Sequence, residues 1–153
     1  MQSVEIQPVR SDEHWKRARE IRTRVFIEEQ ACSPEEEWDG HDATSRHLLA
    51  WLQDDPVGVA RWRAVPFEEQ IVAKLERFAV LKEYRGKGFG RALVRATEQD
   101  ARRAGFTTYL LYAQQHLQEF YEALGYQTTE REPFEEAGIS HVEMVKRETV
   151  TTN

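Results

Sequence analysis

The chain holds a single cysteine, Cys32, among 153 residues. An internal disulfide and any metal cluster built on cysteines are therefore excluded, and Cys32 is left as a packed thiol or a catalytic one. Long apolar runs are missing too: nothing approaches the ~18 consecutive apolar residues of a membrane-spanning helix. The opening MQSVEIQPVR lacks the basic start and apolar core of a secretory leader. The expected setting is cytoplasmic, with no membrane partner. No repeat, low-complexity tract or Gly/Ser-rich linker divides the chain, so one domain over 1–153 is expected, a comfortable size for one core. A basic excess is absent as well. The formal net charge is -6, which argues against nucleic acid as a partner, because phosphate contacts need a basic face. Lysine and arginine vanish altogether between Val25 and Ser45, where Glu28, Glu29, Glu35, Glu36, Glu37, Asp39 and Asp42 lie.

The balance reverses from Lys82 to Arg103, through Lys82, Arg85, Lys87, Arg91, Arg95, Arg102 and Arg103. The two stretches read either as an anionic and a cationic binding site or as two solvated faces. A hydrophobic share of 40%, with four Trp, seven Phe and five Tyr, supplies a core.

Alternation predicts a short first strand in VEIQPV. Ser11 is placed to cap a helix carrying Trp15, Ala18, Ile21 and Val25 on one face and ending before Pro34. Residues 31–45 lack periodicity and read as loop or short helical turns. RHLLAWLQDDPVGVARWRAV predicts two strands joined at Asp54-Asp55-Pro56, and AKLERFAVL another. Leu93, Ala96, Ala101 and Ala104 line a helix that Gly105 stops. TTYLLYA predicts a strand buried on both faces. Leu117, Phe120, Tyr121 and Leu124 line a further helix ended by Gly125, and strands near Tyr126–Thr129 and His141–Lys146 complete the chain. The class is α/β or α+β around a mixed sheet.

The joint between the AKLERFAVL strand and its following helix reads YRGKGFG, Tyr84 to Gly90. Glycines at alternate positions let a loop turn tightly and its N–H groups approach a ligand. The next helix adds unpaired N–H groups and the positive end of its dipole. Such a joint suits phosphate, with Arg85, Lys87 and Arg91 around it. A P-loop would need Ser or Thr after the lysine, and Lys87 is followed by Gly88. A dinucleotide fingerprint would need GxGxxG near the start of a βαβ unit, and here the spacing is GxGxG, late in the chain.

Arg85, Gly88 and Gly90 match instead the Arg/Gln-x-x-Gly-x-Gly/Ala acetyl-CoA loop of the GNAT N-acetyltransferases. AQQHLQEFYEALGY is similar to the Phe-Tyr-x-x-x-Gly helix that follows the next strand in that superfamily. VFIEEQ, HLLAW, AQQHLQEFY and GISHVEM resemble its ElaA-like branch, over roughly residues 22–146. The resemblance implies a GNAT-type mixed central sheet flanked by helices. Its two central strands, here Ala73–Val80 and Thr107–Ala113, would splay apart to admit the pantetheine arm. It implies acetyl-CoA as co-substrate, with Phe78 and Val80 offering backbone hydrogen bonds and the segment Arg85, Gly86, Lys87, Gly88, Gly90, Arg91 holding the pyrophosphate. No metal is implied. It further implies direct acetylation of a primary amine of a small molecule, with Tyr121 as the acid, and it allows a homodimer. A fold does not fix a function, so a non-catalytic acyl-CoA-binding module stands as the alternative. Glu76 is the candidate base, or else a surface glutamate paired with a neighbouring arginine. His47, His116 and His141 are the other candidates, since imidazoles titrate near neutral pH. For the amine, the candidates are Glu29, Glu37 and Asp42 of the acidic stretch, together with His141, because carboxylates favour a cationic acceptor.

Overall fold

The computed structural model describes residues 3–148, so the expected span of 1–153 runs past them at both ends. Among these residues eight strands form one mixed sheet. The strands are β1 (Glu5–Pro8), β2 (Arg46–Leu52), β3 (Asp55–Phe67), β4 (Gln70–Val80), β5 (Thr108–Gln114), β6 (Gln127–Thr128), β7 (Phe134–Glu136) and β8 (Ile139–Arg147). Their order is β1-β2-β3-β4-β5-β8-β6, with β7 paired to β8. All neighbours are antiparallel except β4 and β5. The helices are α1 (Asp12–Arg22), α2 (Pro34–Glu37), α3 (Phe89–Arg103) and α4 (Gln118–Glu122). No described helix is long and apolar enough to cross a membrane.

Local chemistry sets the element ends. Ser11 Oγ accepts from the His14 N–H at 3.1 Å and starts α1. At Gly105 (φ +101°) the Phe106 N–H reaches back to Ala101 C=O and the Gly105 N–H to Arg102 C=O, the paired bonds of a Schellman stop. Gly125 (φ +100°) ends α4 by the same pair of bonds, to Tyr121 and Glu122. Beyond α1 the coil widens into a π-helical stretch, Thr23–Glu29. The extra residue per turn keeps Val25 buried while Phe26 and Gln30 turn toward the opening of the sheet.

Three turns depart from the sequence reading. The β2–β3 turn is Gln53-Asp54, one residue earlier than expected, since Leu52 pairs with Asp55. Glu68-Glu69 and Ala137-Gly138 both have positive φ and close two-residue hairpins. Their geometry is the one usually signalled by Asn-Gly or Asp-Gly, so neither Glu-Glu nor Ala-Gly announced it, and β7 was not anticipated.

Helix α3 lies against one face of the sheet and buries Phe89, Leu93, Val94 and Ala101. Burying such a Leu or Phe contributes ~1.5–3 kcal/mol. Two acids fix its rotation. Asp100 accepts from Trp62 Nε1 at 2.7 Å and pairs with Arg46 at 2.9 Å; Glu98 accepts from the Tyr126 hydroxyl at 2.8 Å and from Lys146 at 3.2 Å. The N-terminus of α3 is thereby aimed across the end of β4. The close approach depends on Gly58 of β3, where an added Cβ would stand 2.8 Å from Leu93 Cδ1 and 3.0 Å from the Ala79 carbonyl oxygen. Gly58→Ala is expected to lower stability by ~1–3 kcal/mol, measured by urea unfolding; an unchanged midpoint would show that α3 can shift freely.

Candidate active site

The parallel pair β4–β5 is joined only at Ala73–Tyr109 and Lys74–Leu110. Beyond Lys74 the strands diverge. The divergence begins at a β-bulge in β4: Val59 faces Ala79 and Arg61 faces Glu76, so Ala60 is opposed by both Arg77 and Phe78. Arg77 takes φ +59°, a left-handed conformation that a non-glycine residue adopts at a cost. The bulge bends β4 away from β5. The expected splayed strands are thus β4 and β5.

An open cleft of about 300 Å³ lies at the divergence. Its apolar part is formed by Phe26, Leu75, Phe78, Leu111, Leu117 and Tyr121. Tyr121, 7% exposed, is held edge-on between Phe120 and Tyr126 with ring centroids 5.0 and 5.9 Å away. Its hydroxyl makes no hydrogen bond among the described residues, and burial pushes its pKa well above the ordinary phenol value. The phenol stays protonated, a donor rather than a base. Across the cleft His141 stacks on Phe134. Its Nδ1 lies 2.7 Å from the Ile139 carbonyl oxygen. A carbonyl only accepts, so Nδ1 carries a proton, and Nε2 takes no hydrogen bond among the described residues. His141 lines the cleft; His47 and His116 do not. His47 gives its Nε2–H to the Asp42 carbonyl at 2.9 Å and packs on Trp15, while His116 is exposed.

The glycine loop stands at the upper end of β4. Gly86 and Gly88 have φ +79° and +84°, and a Cβ at either would meet nothing within 4 Å. They are glycines for backbone conformation. Gly88 caps α3, and the N–H groups of residues 86–91 find no acceptor among the described residues. Lys87 and Arg91 are exposed and take no ion pair there either. Leu81 N–H donates to Val57 C=O at 2.9 Å, and alternation turns the Val80 N–H and C=O to the opposite edge, toward the opening. Open N–H groups and free cations of this kind suit a polyphosphate.

A sequence model of the family described as Acetyltransferase (GNAT) domain matches residues 11–148. The chain belongs to the GNAT acetyltransferases. A Bacillus subtilis (strain 168) protein that carries the name of an acetyltransferase is 38% identical over 148 residues, 95% of this chain and 97% of that one. Protein ElaA of Escherichia coli (strain K12) is 34% identical over 130 residues, 83% of each chain. The crystal structure of Escherichia coli ElaA covers 95% of this chain and 100% of its own, with a TM-score of 0.81 at 29% identity. The protein is thus a GNAT N-acetyltransferase, an acyltransferase enzyme, as the ElaA-like motifs implied.

In this GNAT chain four carboxylates of the acidic stretch are paired with arginines. Glu37, 2% exposed, accepts from Arg22 Nε at 2.5 Å, and Arg77 Nε lies 3.1 Å from its other oxygen, off the hydrogen-bond line. Asp42 accepts from Arg22 at 2.7 Å and from Arg61 at 2.9 Å. Asp39 accepts from Arg61 at 2.8 Å and Arg77 at 3.1 Å. Glu29 pairs with Arg85 through two bonds of 2.6 and 2.8 Å, away from the cleft. Glu29, Glu37 and Asp42, expected to hold the acceptor, are thus each paired with an arginine from another element. Arg85, expected at the pyrophosphate, is likewise committed, to Glu29 and, through Nε at 2.8 Å, to the Val80 carbonyl.

Glu76 lines the cleft, but Arg61 binds one carboxylate oxygen and Arg63 the other at 2.8 Å. Although burial alone would raise its pKa, Arg61, Lys74 and Arg63 hold it below the usual range. A carboxylate so held is a weak base; the pairing with arginine matches the second sequence reading, but the side chain is 9% exposed rather than at the surface. Cys32 also lines the cleft, its thiol pushed up by burial and by Glu37, and so stays protonated. The groups the sequence reading missed are Arg22, Arg61, Arg63, Arg77 and Lys74. Alternation in RWR and KLE placed Arg61 with Arg63 and Lys74 with Glu76; only the unannounced Glu68-Glu69 turn fixes the register that joins them.

Arg61 is fully buried and touches three carboxylates. Arg61→Met is expected to cost about 3–5 kcal/mol, because Asp39, Asp42 and Glu76 lose the guanidinium they share and each keeps a single close arginine partner, Arg77, Arg22 and Arg63 respectively. The pH dependence has a definite sign. Despite burial, arginines hold Asp39, Asp42 and Glu76 below their ordinary values, so they bind fewer protons folded than unfolded. Their contribution is complete above about pH 4–5 and is lost as pH falls through the folded values. Glu37, raised by burial, runs oppositely but is a single group. Melting temperature should fall on acidification below about pH 4, and less steeply in Arg61→Met; parallel curves would overturn the assignment.

Proposed function

We propose that the enzyme transfers acetyl from acetyl-CoA to the primary amine of a small molecule by direct attack. The observation that carries this reading is the splay of β4 from β5, with the Val80 edge and the Tyr121 phenol beside one opening. Support for the donor comes from the residues that would hold it. The N–H groups of residues 86–91, Lys87 and Arg91 suit the pyrophosphate. The half-exposed Leu117 and Phe120, the latter near Gly90, suit an apolar arm. The fold is shared with a Thermoplasma acidophilum N-acetyltransferase solved in complex with coenzyme A, at a TM-score of 0.71 and 18% identity.

The amine arrives as an ammonium and must lose a proton before it can attack. His141 is placed to take it, through Nε2. The nitrogen lone pair then forms the C–N bond, and the C–S bond breaks with its electron pair going to sulfur. The Val80 N–H supports the carbonyl oxygen as negative charge develops there. His141 passes the first proton on to solvent; the second proton leaves the nitrogen for the Tyr121 hydroxyl as that hydroxyl gives its own proton to the thiolate, so that the phenol ends the step unchanged. Because its proton affinity exceeds the ~8.5 of a free thiol, Tyr121 acts by hydrogen bonding to the departing sulfur rather than by early transfer. Glu76 is assigned to holding Arg61 and Arg63 rather than to chemistry.

Release of CoA thiol with a panel of amines tests this reading directly. Tyr121→Phe is expected to lower kcat about a hundredfold or more with acetyl-CoA affinity retained. His141→Asn keeps a donor for the Ile139 carbonyl but has no Nε2, so kcat/KM should fall by a similar factor. That defect should shrink as pH rises, because the amine then loses its proton to solvent. A pH-independent defect would make His141 structural. For the donor site, Lys87→Glu with Arg91→Glu is expected to weaken acetyl-CoA binding about tenfold or more by calorimetry; unchanged affinity would move the pyrophosphate elsewhere.

A further inference from the structure

Most charged groups around the cleft are already spent. Glu37, Asp39, Glu76 and Arg77 are tied into the arginine network. Glu36 and Glu136 are exposed to solvent. Lys74 is different. It lines the cleft at the closed end of the V, where β4 still pairs with β5. Among the described residues its ammonium takes no hydrogen bond and no ion pair, and its close neighbour is the face of Tyr112, 3.8 Å from the ring centroid. Burial lowers its pKa against the pull of Glu76. The residue opposite it on β3, Arg63, gives its Nε to Glu76.

A half-buried ammonium with three unspent donors is poorly compensated by one aromatic face, whose attraction is weaker than a charge-assisted hydrogen bond. The partner it lacks is an anion. No buried, unspent carboxylate lines the same cleft to receive a second ammonium.

We propose that Lys74 anchors an anionic group of the acceptor, so that the substrate class is an amine bearing a carboxylate or phosphate at the far end of a short chain. This rests on the acetyl-transfer reading above and goes beyond it by naming the acceptor's second pole. At ~3.3 Å per residue, Lys74 and Phe78 lie at most ~13 Å apart along β4. The amine near Phe78 and Tyr121 and the anion at Lys74 are then separated by several bonds. The acceptor is dipolar rather than simply cationic.

The test compares ω-amino acids of two to six carbons and ω-aminoalkyl phosphates with n-alkylamines of matched length. Wild type should prefer the best anionic acceptor about tenfold or more in kcat/KM. Lys74→Met should reduce that ratio to within about twofold, and Lys74→Arg should keep most of it. The carboxylate and phosphate arms decide which anion fits. In parallel, calorimetry in the presence of CoA measures N-acetyl-ω-amino acids against N-acetylalkylamines, a comparison that needs no turnover. A Lys74-dependent preference there without turnover of any amine would uphold the anion site and overturn the catalytic reading. Equal binding of charged and uncharged products by wild type would overturn the anion site. So would Lys74→Met lowering both acceptor families equally, which would make the lysine a base or a structural group.

Discussion

The arginine–carboxylate network around Arg61 is the interaction on which the site depends. The stretch 25–45 carries seven acids and no lysine or arginine, so it cannot neutralise itself. It must fold onto cations supplied elsewhere: Arg22 from α1, Arg61 from β3 and Arg77 from the bulge of β4. That requirement lays α2 and the Asp39–Asp42 turn across the front of the sheet. The cleft gains one of its walls in this way, although α2 spans only Pro34–Glu37 and has little apolar surface of its own. Buried ion pairs are weak evidence for net stability, since desolvation offsets most of their attraction. What they supply here is geometry: a short acidic segment can dock on these arginines in few ways.

The bulge at Arg77 serves two ends. It opens β4 from β5, and it turns a guanidinium onto Glu37 and Asp39. A left-handed arginine costs free energy at its own backbone, and contacts with the acidic segment offset that cost. Opening and wall are thus formed by one residue in one conformation.

Much of this was legible in the sequence, for physical reasons. Glycine punctuation, caps and helical periodicity are local, so α1, α3, α4 and the loop at Gly86–Gly90 could be read directly. Tyr121 could be placed by motif, and its burial follows from the apolar stripe it shares with Leu124. Pairing is not local. The two-residue turns at Glu68-Glu69 and Ala137-Gly138 use residues that give no turn signal, and with them went the register that sets Arg61 against Glu76 and Arg63 against Lys74. The acidic stretch was visible as composition, but whether its charge was free or spent depended on arginines fifteen or more residues away in the chain, beyond any pattern of spacing. His141 could be named, yet its usable nitrogen is known only once the Ile139 carbonyl is seen to hold the other.

The network has a consequence at long range. Arg22, Arg61, Arg63 and Arg77 face Glu37, Asp39, Asp42 and Glu76, so their formal charges cancel. A neutral set of charges has a potential that decays faster with distance than that of a lone ion. To a molecule diffusing nearby, this densely charged wall is almost dark. Near the opening, the cations without an ion pair among the described residues include Lys87 and Arg91 at the mouth of α3 and Lys74 deeper in the cleft, set against a molecule of formal charge -6. Approach is then steered by isolated positive points in a negative field, and an incoming anion is directed to those points rather than spread over the surface.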